Sequence, residues 1–282
     1  MAEPSRDSGY HAPVAAARRD SVQSVERALD VLEALAARGE LGVTELAEAT
    51  GLVPSTVHRL LATLAKRAWV TQSADSSRYR LGYKVVELAS RVGDSGLRLR
   101  DVAHPHLERV QQATGETVNL VVLDGERVVY LDQVEGTRSV RMFTTLGAAA
   151  LAHSTAAGKA IMAYGPEEAV EKLYAGRGAL ERLTARTLTS VAELQADFER
   201  IRNRGYATDN EEHEEGVGCV AVPIFDGDSR AVAAISVSAP AARILHSDTG
   251  ELGSLLLEHT AAISAALEPD HEQEPEAEPA LG

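Results

Sequence analysis

The residues with the types and spacing to do chemistry fall into three groups, and the first is HSTAAGKA, His153 to Ala160. Its Gly-Lys pair could close a phosphate-binding loop. Such a loop also needs a glycine five residues before the pair and a hydroxyl directly after the lysine, because backbone N–H groups cradle phosphate and the hydroxyl holds magnesium. Those positions are His153 and Ala160, so nucleotide binding is not expected. What remains is a helix start of small residues, Thr155, Ala156, Ala157 and Gly158, whose unpaired N–H groups and positive dipole end suit an anion. Ser236 and Ser238 alternate along a strand, share one face, and could complete a carboxylate cradle. The competing reading is that these small residues only permit close helix–sheet packing. Lys159 is expected to run out to solvent.

The second group is DNEEHEE, Asp209 to Glu215, with five carboxylates around His213 and Cys219 close by. Oxygen and imidazole ligands suit divalent ions. Structural zinc, however, uses Cys and His sets at regular spacing, which are missing, so no metal and no cofactor are expected. Cys219 is the single cysteine, which excludes an intrachain disulfide and fits a reducing compartment. A hydrolase or reductase built on Cys219 needs a base at a readable spacing, and none stands there. Val217, Val220 and Val222 flank the thiol, and such surroundings make a cysteine inert.

The third group lies in PSTVHRLLATLAK. A helix advances one hundred degrees per residue, which puts Ser55, Arg59, Ala62 and Lys66 opposite a buried stripe and Thr56, His58 and Thr63 at its edges. Arginine can make two hydrogen bonds to guanine, and hydroxyls near a helix start can bind phosphate or bases, so the face suits a DNA major groove. Arg78 and Arg80, on the hairpin that follows, would flank the minor groove or touch phosphates. The alternative is an ordinary solvated face.

Those groups need elements to hold them. Val22, Val25, Leu29, Leu32 and Leu35, with Ala28 and Ala36, are expected to mark the buried face of a first helix. Thr44 can cap a second over 45–50, which Gly51 stops, and Pro54 suits the first turn of a third. Val57, Leu60, Leu61 and Leu64 give that third helix its stripe. The stretch WVTQSADSSRYRLG alternates as a short hairpin. Two helices joined by a Gly-containing turn, with a packing helix before and a hairpin after, spell a winged helix-turn-helix over 21–82. A linker helix is expected over 83–100. From 101 to 267 the pattern is mixed: a helix over 104–112, a hairpin in VNLVVLDGERVVYLDQV, a further strand in SVRMF, helices near 155–164, 166–174 and 191–204, a long hairpin in GVGCVAVPIFDGDSRAVAAISVSAP, and a closing helix over 248–267. Two long hairpins imply an α+β fold with a largely antiparallel sheet. Residues 1–20 read as a disordered arm and 268–282 as a disordered acidic tail.

Charge agrees with this division. The 282 residues carry a formal charge of −14, yet residues 51–100 hold nine Lys or Arg against only Asp75, Glu87 and Asp94. A basic segment on an acidic chain is a placed feature. No run of eighteen apolar residues and no signal peptide is legible, so a cytoplasmic protein without membrane contact is expected.

Together SVQSVERALDVLEAL, VTELAEATGLVPSTVHRLLATL, RYRLG, TGETVNL, HSTAAGKA, GYATDNEEHEEGVGCVAVPI and AAISVSAP make the chain resemble the isocitrate lyase regulator (IclR) family of bacterial regulators, over nearly all of 21–267. The resemblance implies a winged helix, a linker helix and a GAF-like or profilin-like effector-binding domain, assembled as homodimers or dimers of dimers on double-stranded operator DNA. It implies no catalysis. It places Ala156, Ala157, Asp209, Cys219, Ser236 and Ser238 around a small effector, with Met142 and Leu146 as an apolar wall. The function then expected is repression of a catabolic or metabolic operon, relieved by a small carboxylic acid; activation, or sensing of redox state or metal through Cys219, are the alternatives.

Overall fold

A computed structural model describes residues 22–89, 94–142, 144–176, 178–245 and 248–267. The expected arm over 1–20, the tail over 268–282 and part of the linker therefore lie outside the described residues. The chain divides into two compact units between Asp94 and Ser95.

In the first unit, α1 (Gln23–Arg38), α2 (Val43–Thr50) and α3 (Pro54–Lys66) are followed by β1 (Val70–Gln72), β2 (Tyr79–Leu81) and α4 (Lys84–Ala89). Gly51 ends α2 at φ 66°, a left-handed geometry that costs glycine nothing, and Pro54 opens α3 where its missing N–H has no partner to lose. Val31 and Leu35 of α1, Leu46 and Ala47 of α2, and Val57 and Leu61 of α3 enclose one core with Val70 and Tyr79 of the wing. β1 and β2 pair antiparallel from Val70↔Leu81 to Gln72↔Tyr79, and Leu41 adds a bridge to Tyr79.

Two expectations change here. Val22, Val25 and Leu29 are 62, 54 and 51% exposed, because the first two turns of α1 carry no buried residue and packing begins only at Val31. The cap of α2 is Gly42, not Thr44: its N–H donates to Glu45 Oε2 at 2.7 Å, so the side chain three residues into the helix supplies the acceptor.

The second unit is built on a six-stranded antiparallel sheet. Its strands are β3 (Thr117–Asp124), β4 (Arg127–Val134), β5 (Ala149–Leu151), β6 (Ala207–Asn210), β7 (Val217–Phe225) and β8 (Ala231–Pro240), in the order β5-β4-β3-β8-β7-β6. One face packs against α5 (Asp94–Thr114) and α10 (Thr249–Leu267) through Leu99, Ala103, Leu107, Val110, Leu256 and Ile263. The other packs against α6 (Ala156–Met162), α7 (Glu167–Leu173) and α8 (Val191–Arg204). A four-residue helix, α9 (Ala241–Ile244), follows β8. The described parts of the expected linker over 83–100 are helical, in α4 over Lys84–Ala89 and from Asp94 onward in α5, which runs on through the separately expected 104–112 segment and carries Pro105 inside it. SVRMF forms no strand over its described residues Ser139–Met142, and Ala149–Leu151 takes the place beside β4 instead. No described helix is long and apolar enough to cross a membrane.

Candidate functional site

The group expected to face DNA lies as the helical spacing requires. Ser55, His58, Arg59, Thr63 and Lys66 are exposed on α3 and Thr56 is half-buried, while Val57 and Leu61 hold the helix from behind. Thr63 Oγ donates to the Arg59 carbonyl at 3.0 Å, so its proton is already engaged. The two wing arginines differ. Arg78 donates to the Glu40 carbonyl at 3.1 and 2.8 Å and to Glu45 Oε1 at 2.9 Å, which ties the wing to α2. Arg80 is exposed and makes only a loose 3.6 Å approach to Glu40.

In the second unit the expected effector residues come mostly together. Asp209, Cys219 and Ser238 stand directly opposite one another across β6, β7 and β8, and Thr117 continues the row on β3. Two residues along, Ala221, Ser236, Asn119 and Gln133 form the next row. Opposed residues share a face, as do residues two apart. That face is the one covered by Ala156 and Ala157 of α6, and Ser236, Ser238, Asp209, Ala156 and Ala157 are all buried. Met142 sits at the end of the row, its carbonyl accepting from Thr117 Oγ1 at 2.8 Å. Leu146 is not brought in: it lies in a turn and is 51% exposed, so it forms no wall in this conformation. A cleft of about 570 Å³ opens elsewhere, between Glu116, Arg243 and the start of α10, and none of the eight expected residues lines it.

Hydrogen bonding within the rows is one-sided. Ser238 Oγ lies 3.3 Å from the Asn119 side-chain amide and 3.2 Å from Cys219 Sγ, while Ser236 makes no described side-chain hydrogen bond. The amides of Asn119 and Gln133 meet at 3.0 Å. Asp209 Oδ1 accepts from the Glu212 N–H at 2.7 Å and more weakly from the His213 N–H at 3.4 Å. Burial outweighs those bonds and pushes the Asp209 carboxyl up from 3.8 to about 7. Burial likewise raises the Cys219 thiol, although the residue keeps partial exposure by area, and a thiol so disfavoured as thiolate is a poor redox centre. The helix-start argument weakens, because α6 is seven residues long and Thr155 Oγ1 already accepts the Gly158 N–H at 3.1 Å. The donors of this site are mainly on the strands.

Lys159 overturns its expectation. It is 1% exposed, with Nζ 2.6 Å from both Glu212 oxygens and 3.0 Å from Asp197 Oδ2, which pairs with it outside hydrogen-bond geometry. Every residue of α6 is buried, so a lysine there has no route to water and must meet acids. Arg200 holds the other Asp197 oxygen at 3.0 Å. DNEEHEE thus supplies a clamp: Glu212 grips α6, its carbonyl accepts from Thr187 Oγ1 at 2.7 Å, and His213 Nδ1 lies 2.9 Å from Ser154 Oγ. Among the described residues no three His, Cys, Asp or Glu side chains are grouped to hold a metal. The sequence reading missed Asn119, Asp197 and the Lys159–Glu212 pair; a lysine inside the otherwise apolar AAGKAIM was the available signal for the last.

A winged head that presents a basic helix, joined to a sheet domain holding a buried polar cradle, defines a DNA-binding transcriptional regulator with an effector domain. The comparisons agree. Residues 24–74 match the IclR helix-turn-helix domain and residues 94–265 match the family described as bacterial transcriptional regulator IclR C-terminal. The transcriptional repressor IclR of Escherichia coli is 37% identical over 251 residues, covering 87% of this chain and 90% of that one. The crystal structure of the Thermotoga maritima IclR aligns with a TM-score of 0.70 at 35% identity, over 87% of this chain and 98% of that one. An IclR homolog from Microbacterium hydrocarbonoxydans, solved in complex with 4-hydroxybenzoate, aligns with a TM-score of 0.70 at 26% identity, over 86% and 98%. The chain belongs to the IclR family of bacterial transcriptional regulators.

Proposed function

We propose that this regulator is a repressor, assembled as a homodimer or dimer of dimers, that reads operator DNA through Ser55, Arg59 and Lys66 of α3 and releases it on binding a small carboxylic acid between α6 and the β6-β7-β8 face. The observation that carries the effector class is the pair of buried hydroxyls, Ser236 and Ser238, on the face of β8 that α6 covers. A buried hydroxyl without a partner calls for an acceptor from a ligand. Ser236 makes no described side-chain hydrogen bond, so its proton is available to such an acceptor. The 4-hydroxybenzoate bound by the Microbacterium homolog is a ligand of the same chemical class. Release requires that the acid distinguish two arrangements of the heads, since equal affinity for both would shift nothing.

The test joins calorimetry with short acids to operator gel shifts. Ser238→Ala should weaken acid binding at least tenfold, the equivalent of about 1.5–3 kcal/mol for a charge-assisted bond, while the ligand-free protein keeps its operator affinity. Ala157→Leu should fill the space and leave a repressor that no longer responds. If Ala157→Leu responds normally, the helix start is a packing device and the effector lies elsewhere.

A further inference from the structure

The cradle holds one group at odds with a carboxylate ligand, and its surroundings say what must happen to it. Asp209 is 2% exposed and stands in the same row as Cys219 and Ser238. Its Oδ1 is committed to the Glu212 and His213 N–H groups. Oδ2 has no described partner, so any proton the carboxyl carries sits there.

Among the described residues the charges around it leave no cation free to offset a second anion. Lys159 faces Asp209 from α6, but its Nζ is held by Glu212 and Asp197, two carboxylates against one ammonium. Arg200, on α8, is spent on Asp197 at the exposed end of the cluster. From the loop that follows its strand Asp209 meets Glu212 and His213, and from β7 it meets Cys219, a thiol that Glu214 also influences. His213 is lowered by burial, and by His153 after that, which keeps its imidazole neutral. An ionised Asp209 beside an ionised acid would therefore set two carboxylates together with nothing between them. Two carboxylates in that position share one proton.

Resting on the reading that the effector is a carboxylate, we propose that Asp209 binds it as the neutral acid, its Oδ2–H donating to the effector's carboxylate, so that effector binding is coupled to uptake of a proton. The proton comes from solvent and stays on the shared hydrogen bond; no covalent bond is made or broken. Burial already brings the carboxyl to about 7, so near neutral pH about half of the protein is loaded in advance. Uptake should therefore be close to one proton per acid bound at about pH 8.5 and close to none at about pH 5.5, and affinity should fall about tenfold per pH unit above the free-site value. A repressor so built responds more strongly to the same acid concentration as pH falls.

The experiment is calorimetry on the full chain with 4-hydroxybenzoate, benzoate, acetate and lactate, at pH 5.5 to 8.5, in phosphate and in Tris. The two buffers differ in ionisation enthalpy, so the difference in apparent heat counts protons. Asp209→Asn is run beside the wild type: its Oδ1 can still accept from Glu212 and His213, and its Nδ2 donates without titrating. Proton uptake near one at pH 8.5 in the wild type, with none and a flat pH profile in Asp209→Asn, supports the proposal. An acid that binds the wild type with no buffer-dependent heat at pH 8.5 overturns it and leaves the carboxylate pocket standing. So does an Asp209→Asn profile as steep as the wild type's. If none of the four acids binds the wild type at any pH, the carboxylate reading fails and takes this inference with it.

Discussion

Replacing Lys159 by Met keeps the length and helix propensity of the side chain in α6 and removes only its charge. The structure sets the scale of the loss. Lys159 Nζ lies 2.6 Å from both Glu212 oxygens and 3.0 Å from Asp197, and the two carboxylates are themselves about nine-tenths buried. Without the ammonium they face each other with only Arg200 in support. Removing one partner of a buried pair costs about 3–5 kcal/mol, which for a domain of this size is roughly 6–20 °C in melting temperature. The loss also has a sign with pH. Burial, the largest influence, already raises Glu212 in the native protein. A carboxyl raised in the folded state binds its proton more tightly there than unfolded, so stability falls as pH rises above its unfolded value. Removing Lys159 raises it further and steepens that fall. The variant should therefore lie well below the wild type at pH 8 and approach it at pH 5, where Glu212 takes up its proton and its uncompensated buried charge is removed. Lys159→Met with Glu212→Gln should recover part of the loss at pH 8. Urea and thermal melts of the full chain by circular dichroism measure it. The single tryptophan, Trp69, lies in the first unit and gives a fluorescence control for the head. A loss under about 1 kcal/mol at pH 8, or an equal loss at both pH values, would falsify the account of Lys159 as a clamp, since breaking a desolvated pair costs more than that.

Gly158→Ala places a Cβ 2.2 Å from the Ala152 carbonyl oxygen and 2.6 Å from the Ala152 Cα, both backbone atoms that cannot step aside. It should displace the start of α6 and abolish acid binding by calorimetry while gel shifts still show operator binding; retained acid affinity would show that α6 does not border the effector. On the wing, Arg80→Ala should reduce the slope of log affinity against log salt by about 1, as for one lost phosphate contact. Arg78→Ala should leave that slope alone and instead lower head stability only slightly, because its ion pair is solvent-screened. Equal salt slopes for the two variants would show that the wing meets DNA through neither residue or through both.

The features legible in the sequence are those whose causes are local. Gly51, Pro54 and the spacing of Val57 and Leu61 specify the helix-turn-helix within fifteen residues, and the Asp-Gly turn at 124–125 fixes a hairpin because the φ of 57° at Gly125 suits a residue without a Cβ. What misled was set by partners distant in the chain. Val25 and Leu29 have the period of a core stripe, but period does not say how far along a helix its partners reach, and here they begin at Val31. SVRMF has the composition of a strand and AAL, at 149–151, does not; the edge position beside β4 went to the segment that could pair with Arg127–Val129, as tertiary context overrides propensity at a sheet edge. Lys159 and Glu212 are 53 residues apart, and neither HSTAAGKA nor DNEEHEE explains itself alone. HSTAAGKA looked like a site for its Gly-Lys pair and small-residue helix start, and DNEEHEE for its carboxylates around His213. Burial makes the two anomalies one: a lysine that cannot reach water and an acid run with more carboxylates than its surface needs answer each other, and the loop they pin is the one whose N–H groups hold Asp209 in the cradle.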